Sequence, residues 1–327
     1  MPLELILVLG LVLYAEFVNG WTDAPNAIAT VVSTRVISPR RAVLMATAFN
    51  ILGAFAGTAV AATIGKGIVD PAIVSLHTIA AAMIGIIVWS TIAARFGIPT
   101  SESHALVAGL AGAGLAVAGP AVLLAEGWQK VGWGLLFSTF LGFGMAYIIA
   151  RIIKKTCARV SPVKARQSFA RLQILSAAFM AFNHGSNDGQ KFIGVFALGL
   201  LLGGVTQQFE IPFWVILLSA GTMGLGTSIG GWKIIQKLGY KMTDLETWQG
   251  FSAETAASLT ILGASQFGIP LSTTHTITTS IMGVGAARRV SAVRWGVSRD
   301  IVFAWILTFP ACGAIAFLSA LILKQIF

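Results

Sequence analysis

The residues best suited to chemistry come in two pairs of matching clusters. FGIPTSESH at residues 96–104 returns 171 residues later as FGIPLSTTH at 267–275, and extended to Gly114 and Gly285 the copies share eight of nineteen positions. Each combines a Gly-x-Pro turn with hydroxyls, at Ser101 and Ser103 in one and at Ser272, Thr273 and Thr274 in the other. Proline disfavours helix in the residue before it and suits a helix start, and Ser or Thr caps the free N–H groups that follow. Pro99 and Pro270 are therefore expected to mark chain reversals, with new helices beginning near Ser101 and Ser272. A helix N-terminus presents unpaired donors and a partial positive charge, which suits an anion. Two such termini facing each other would cradle a tetrahedral oxyanion, with the five hydroxyls standing in for lost water. His104 and His275 fall in the first helical turns, where an imidazole either bonds a neighbouring carbonyl or carries a proton.

The second pair is NGWTDAPNAIAT at 19–30 and HGSNDGQKFIGV at 184–195, aligned on Gly20 with Gly185 and Asp23 with Asp188. Asn19, Asp23, Asn26 and Thr30 are four, three and four apart, so they line one polar face of a helix. Gly20 and Pro25 weaken that helix beside Asp23, as Gly185 and Gly189 do beside Asp188, releasing backbone carbonyls. Carboxylate, amide and carbonyl oxygens are ligands for a hard cation such as Na⁺, and no transition-metal pattern accompanies them. Lys191, three residues after Asp188, either neutralises that carboxylate or contacts the anion. Glu254, flanked by Ser252, Thr255 and Ser258, is a further candidate to ligate a cation or carry a proton, as is Glu16.

The elements that position these residues lie in a membrane. The chain is 56% hydrophobic and only 10% charged, with 36 glycines in 327 residues, a combination foreign to soluble domains. Apolar runs at 3–18, 42–64, 79–94, 133–150, 172–204, 211–232 and 301–323 include several long enough for helices crossing about 30 Å of hydrocarbon. The strand alternation of a membrane barrel is absent from the sequence. The first run lacks a basic start and carries Glu4 and Glu16, so it reads as a retained span rather than a secretory signal. Cys157 and Cys312 suggest neither a disulfide nor a thiolate metal site.

The net charge of +10 does not point to nucleic acid, because 17 of the 22 basic residues fall into four clusters between apolar runs. These are Arg35 to Arg41, Arg151 to Arg171, Lys233 to Lys241 and Arg288 to Arg299. Three full spans per half plus one re-entrant hairpin at the FGIP element put all four on one side, leaving Lys66, Lys130 and Lys324 on the other. The positive-inside rule then makes the clusters cytoplasmic and both termini extracytoplasmic. An odd number of spans per half inverts the second half, so the hairpins enter from opposite sides with their tips meeting. The expectation is an all-α integral membrane protein of two inverted repeats. Residues 1–156 form the first, with its tip near 97–104; 157–170 form a basic cytoplasmic linker; 171–327 form the second, with its tip near 268–275.

Taken together, the Gly-x-x-Asp element around Asp23, the GSNDGQK element at 185–191 and the two GIP-S-x-x-H tips resemble the inorganic phosphate transporter (PiT) family. The likeness covers nearly the whole chain. It implies sodium- or proton-coupled phosphate symport in a cell membrane, hairpin tips that bind phosphate, and a coupling-cation site near the Asp-bearing helices. On this basis Ser101, Ser103, Ser272, Thr273, Thr274 and Lys191 are substrate candidates. Asp23, Asn26, Asn187, Asp188, Gln190 and Glu254 are coupling candidates, with Na⁺ or H⁺ as coupling ion and no other cofactor. The resemblance also makes a homodimer one assembly open to the chain. Two departures stand out: Thr22 replaces the usual Asn of the first Asp motif, and Glu102 replaces a small hydroxyl residue in the first tip. A carboxylate there would repel an anion unless protonated, paired or turned away, so Glu102 is expected to point aside or to join coupling, with His104 and His275 as further coupling or gating candidates.

The leading function is thus secondary symport of phosphate by alternating access. A sulfate carrier of the same fold is the nearest alternative, followed by an anion channel. Nucleotide-binding loops and the HExxH and GxSxG motifs of hydrolases are missing, which argues against ATP-driven transport by this chain alone and against an intramembrane enzyme.

Overall fold

The computed structural model describes residues 2–326. The first half comprises α1 (Leu3–Ser33), α2 (Pro39–Ala54), α3 (Ala59–Gly67), α4 (Leu76–Arg95), α5 (Glu102–Ala118), α6 (Ala125–Leu136) and α7 (Gly142–Thr156). The second comprises α8 (Pro162–His184), α9 (Gln190–Leu202), α10 (Phe213–Ile229), α11 (Trp232–Gln236), α12 (Thr247–Gln266), α13 (Thr273–Arg288) and α14 (Trp295–Ile326). The order of shapes repeats between them. Each half opens on a long helix, continuous in α1 and joined by a π-helical turn (Gly185–Gly189) between α8 and α9. A bent pair follows, α2–α3 at 71° and α10–α11 with its π-helical end at 61°. Next comes a helix–turn–helix, α4–α5 or α12–α13, then a 3₁₀ turn and a closing helix, α6–α7 or α14.

Five helical segments among the described residues are long and apolar enough to cross a membrane, and up to seven if each bent pair counts as one. Pro162 opens α8 with Ser161 as its cap, so the basic segment from 162 onward forms the first turns of that helix. The helix–turn–helix units have long arms. At 1.5 Å per residue the 20-residue arms α4 and α12 are each about 30 Å long.

The turns are built alike. Gly97 and Gly268 adopt φ +65° and +64°, a left-handed conformation that glycine enters without a Cβ penalty. Close approach adds a second reason, since a Cβ on Gly97 would lie 2.9 Å from the Lys233 side chain and one on Gly268 2.9 Å from the Ala59 carbonyl. Phe96 and Phe267, the preceding residues, are the counterparts exposed at the outer edge of each turn.

The buried apolar residues form two clusters, and α1 passes through both. Leu5 to Ala15 belong to one and Ala27 to Val32 to the other. Between them lies the polar stretch of α1 from Glu16 to Asn26, buried at the junction.

Candidate functional site

Both predicted caps form. The Ser101 hydroxyl accepts from the His104 amide at 3.2 Å and the Ser272 hydroxyl from the His275 amide at 3.1 Å, so α5 and α13 start one residue after each serine. The tips touch: Ser103 Oγ donates to the Leu271 carbonyl at 3.0 Å, and the His104 and His275 rings meet edge-to-face at 4.4 Å.

Opposite the tips stand the two aspartates, one from each half. Oxygens of Asp23 and Asp188 and a ring nitrogen of His184 all lie within 4.8 Å of one another. Asp23 sits beside Pro25, which withholds an amide from the Trp21 carbonyl; Asp188 sits in the π-helical turn, a local widening frequent at functional positions. The second tip bridges both carboxylates. Thr273 donates to Asp188 Oδ2 at 2.6 Å and Thr274 to Asp23 Oδ1 at 3.2 Å, while the Asn26 amide donates to Thr274 at 2.9 Å and to Thr273 at 3.3 Å. Asn26 Oδ1 is buried without a hydrogen-bond partner.

Lys191 completes the cluster. Its ammonium contacts Asp188 Oδ1, the Ser103 hydroxyl and, at 2.8 Å, the Leu271 carbonyl. Three acceptors for three N–H donors leave the ammonium saturated. The pairing with Asp188 is the first of the two roles open to it in the sequence. All these side chains are at most 4% exposed, so the cluster is closed to solvent.

The two departures in sequence turn out to be partners. Glu102 Oε1 accepts from Thr22 at 2.9 Å and Oε2 from Ser90 at 2.7 Å, so the carboxylate that would repel an anion is held between α1 and α4 by two hydroxyls. Other candidates lie off the aspartate pair. Asn187 donates to Ser265 at 2.8 Å and to the Ile269 carbonyl at 3.4 Å, tying the π-helical turn to the second hairpin. Gln190 accepts from the Val60 amide at 3.0 Å and so caps α3 after the break in the first bent pair. Glu254 gathers Thr30 at 2.5 Å, Gln173 at 3.2 Å and Ser176, a polar knot two turns along α1 from Asp23. The histidines do not bond nearby carbonyls as expected of a structural imidazole. His104 Nδ1 and both nitrogens of His275 lack hydrogen bonds, and the rings pack instead, His275 on Trp305 at 3.6 Å and His104 on Phe309 at 4.7 Å.

His184 is the residue the sequence reading passed over. It bridges Asn50 Oδ1 at 3.1 Å and Asp188 at 3.1 Å. Its position four before Asp188 places both on one helix face, and that spacing was the available signal.

Against known proteins, residues 19–316 match the phosphate transporter family. The chain belongs to that family. It is 44% identical to a probable low-affinity inorganic phosphate transporter of Rhizobium meliloti (strain 1021) over 314 residues, 95% of this chain and 94% of that protein. It is 39% identical to one from Bacillus subtilis (strain 168) over the whole of both chains. A solved structure described as the sodium-dependent phosphate transporter superposes over the full length of both chains with a TM-score of 0.89 at 27% identity. These are transporters rather than enzymes, and with its apolar helices the chain is a multi-pass membrane protein.

Proposed function

We propose that this chain is a secondary symporter that moves inorganic phosphate with Na⁺ or H⁺ by alternating access around the paired tips. The observation that carries this reading is the convergence of two capped helix N-termini, from opposite halves, on one set of hydroxyls and carboxylates. The helix ends and the hydroxyls of Ser103, Thr273 and Thr274 suit a tetrahedral anion. The aspartates favour monohydrogen phosphate over sulfate, because a buried carboxylate needs a donor and sulfate has none. Around the tips four buried carboxylates, Glu16, Asp23, Glu102 and Asp188, face one lysine. Unless they are protonated, these carboxylates require added positive charge whenever an anion enters. On the Asp23 side a carboxylate, the unpartnered Asn26 Oδ1 and the Thr274 hydroxyl are the oxygen donors a hard cation uses.

In this reading the halves are inverted repeats in a cell membrane, with the basic loops cytoplasmic and the termini outside. Burial of the whole cluster supports a carrier over an open pore. Labelled phosphate and sulfate uptake into proteoliposomes, under separately imposed Na⁺ and pH gradients, tests it. Phosphate should accumulate under at least one gradient and exceed sulfate; phosphate uptake under neither would overturn the proposal.

A further inference from the structure

The two halves treat their aspartates differently, and the repeat shows how. Aligning Asp23 with Asp188 places Asn26 opposite Lys191, and aligning the tips places Thr274 opposite Ser103. The contacts obey the same correspondence: Asn26 donates to Thr274, and Lys191 to Ser103. At the first half's aspartate a hydroxyl of the second tip arrives directly, Thr274 to Asp23 at 3.2 Å, and the neutral Asn26 amide leaves its own oxygen without a partner. At the second half's aspartate the second tip's Thr273 reaches Oδ2, while the Lys191 ammonium stands between Oδ1 and the first tip, touching Asp188 Oδ1, Ser103 Oγ and the Leu271 carbonyl. A carboxylate, a hydroxyl and a backbone carbonyl are the oxygen shell of a hard monovalent cation. Here Nζ occupies it, and a metal ion on Asp188 Oδ1 would have to share that space with a like charge.

We infer that the Lys191 ammonium is a built-in cation: it fills in the second half the place an exchangeable Na⁺ would take, so Asp188 binds no sodium ion of its own. Exchangeable Na⁺ is thereby confined to the side of Asp23 and Asn26. The buried pair is fixed, since removing one partner of such a pair leaves an uncompensated charge. This rests on the symport reading for its meaning in transport, but its test reads binding directly.

Lys191→Asn gives the second half the residue of the first, and Lys191→Gln is a longer neutral substitute. Purified full-length wild type and variants are compared in NaCl and in choline chloride of equal ionic strength, by ²²Na⁺ binding and by thermal unfolding. K191N should bind one more Na⁺ per chain than wild type, be stabilised more by NaCl, and show phosphate uptake that rises more steeply with Na⁺. Adding Asp188→Asn should abolish the gain. A folded variant that gains no Na⁺, or whose gain survives Asp188→Asn, overturns the inference. So does failure of both single variants to fold even in high NaCl, because a sodium ion able to replace the ammonium must restore the fold. Absence of phosphate uptake by the wild type, with the Na⁺ gain intact, would instead overturn the transport reading alone.

Discussion

At the scale of single residues, the Glu102 carboxylate shows how a group hostile to an anion is held beside the proposed anion site. It accepts hydroxyl protons from Thr22 and Ser90, and both partners lie on helices flanking the tip. Glu102→Gln keeps the shape and one acceptor oxygen, and the hydroxyls can rotate to suit the amide. Thr22 already has the Val18 carbonyl at 2.9 Å as an alternative acceptor. Phosphate uptake by that variant should therefore stay within about threefold of wild type with an unchanged pH profile, corresponding to a loss below about 1 kcal/mol. An altered pH profile in proteoliposome uptake would assign Glu102 to coupling instead. Thr273 is the contrasting case, because its one hydroxyl donates to Asp188 and accepts from Asn26. Thr273→Val retains the volume and removes one hydrogen bond from each buried partner, leaving Asp188 with Lys191 and His184 and Asn26 with Thr274. The expected loss of about 1–3 kcal/mol should appear as a rise of roughly ten- to a hundredfold in the KM for phosphate.

At the scale of elements, the halves are interlocked through glycines. Gly20 of α1 lies against the Met223 carbonyl of α10, and Gly185 of the π-helical turn lies against the Asn50 carbonyl of α2, so each half's Asp-bearing helix packs on the other half's bent pair. Small residues permit such backbone approach between membrane helices. Gly20→Ala or Gly185→Ala would force backbone apart on both sides of an aspartate, and each should destabilise by about 1–3 kcal/mol, read as a lower thermal midpoint in detergent. Much of this level was legible in the sequence. The helix starts at Glu102 and Thr273, the turns at Gly97 and Gly268 and the shared face of Asp23 and Asn26 follow from local rules of capping and periodicity. What spacing cannot give is the neighbour across a helix face. Asn187, Gln190 and Glu254 have the right types for coordination, but their bonds to Ser265, Val60 and Gln173 join residues 78 to 130 apart in sequence. The pairing of Thr22 with Glu102, 80 residues apart, was hidden for the same reason, although both had already stood out singly.

At the scale of the whole molecule, the question is whether the two hairpins point in opposite directions through the membrane. Each turn lies beside the bent pair of the other half. The Lys233 ammonium donates to the Arg95 carbonyl at 2.7 Å, which sets the first turn next to the basic cluster of α11 and its π-helical end. Gly268 of the second turn packs on Ala59, and the Thr63 hydroxyl donates to the Gly268 carbonyl at 2.8 Å, so that turn lies on α3, the helix carrying Lys66. In the proposed topology, with the Lys233 cluster cytoplasmic and Lys66 outside, each hairpin enters from one face and brings its turn toward the other, a reach that arms of about 30 Å allow. Phe96 and Phe267 mark these turns and are 73% and 76% exposed, which makes them matched reporters. In a background with Cys157 replaced by Ser and Cys312 left buried, Phe96→Cys should react with a membrane-impermeant thiol reagent from the cytoplasmic face, and Phe267→Cys from the outer face. Right-side-out and inside-out vesicles separate the two. Labelling of both from the same face would remove the inversion and, with it, the rigid-body exchange of access between halves on which alternating transport depends.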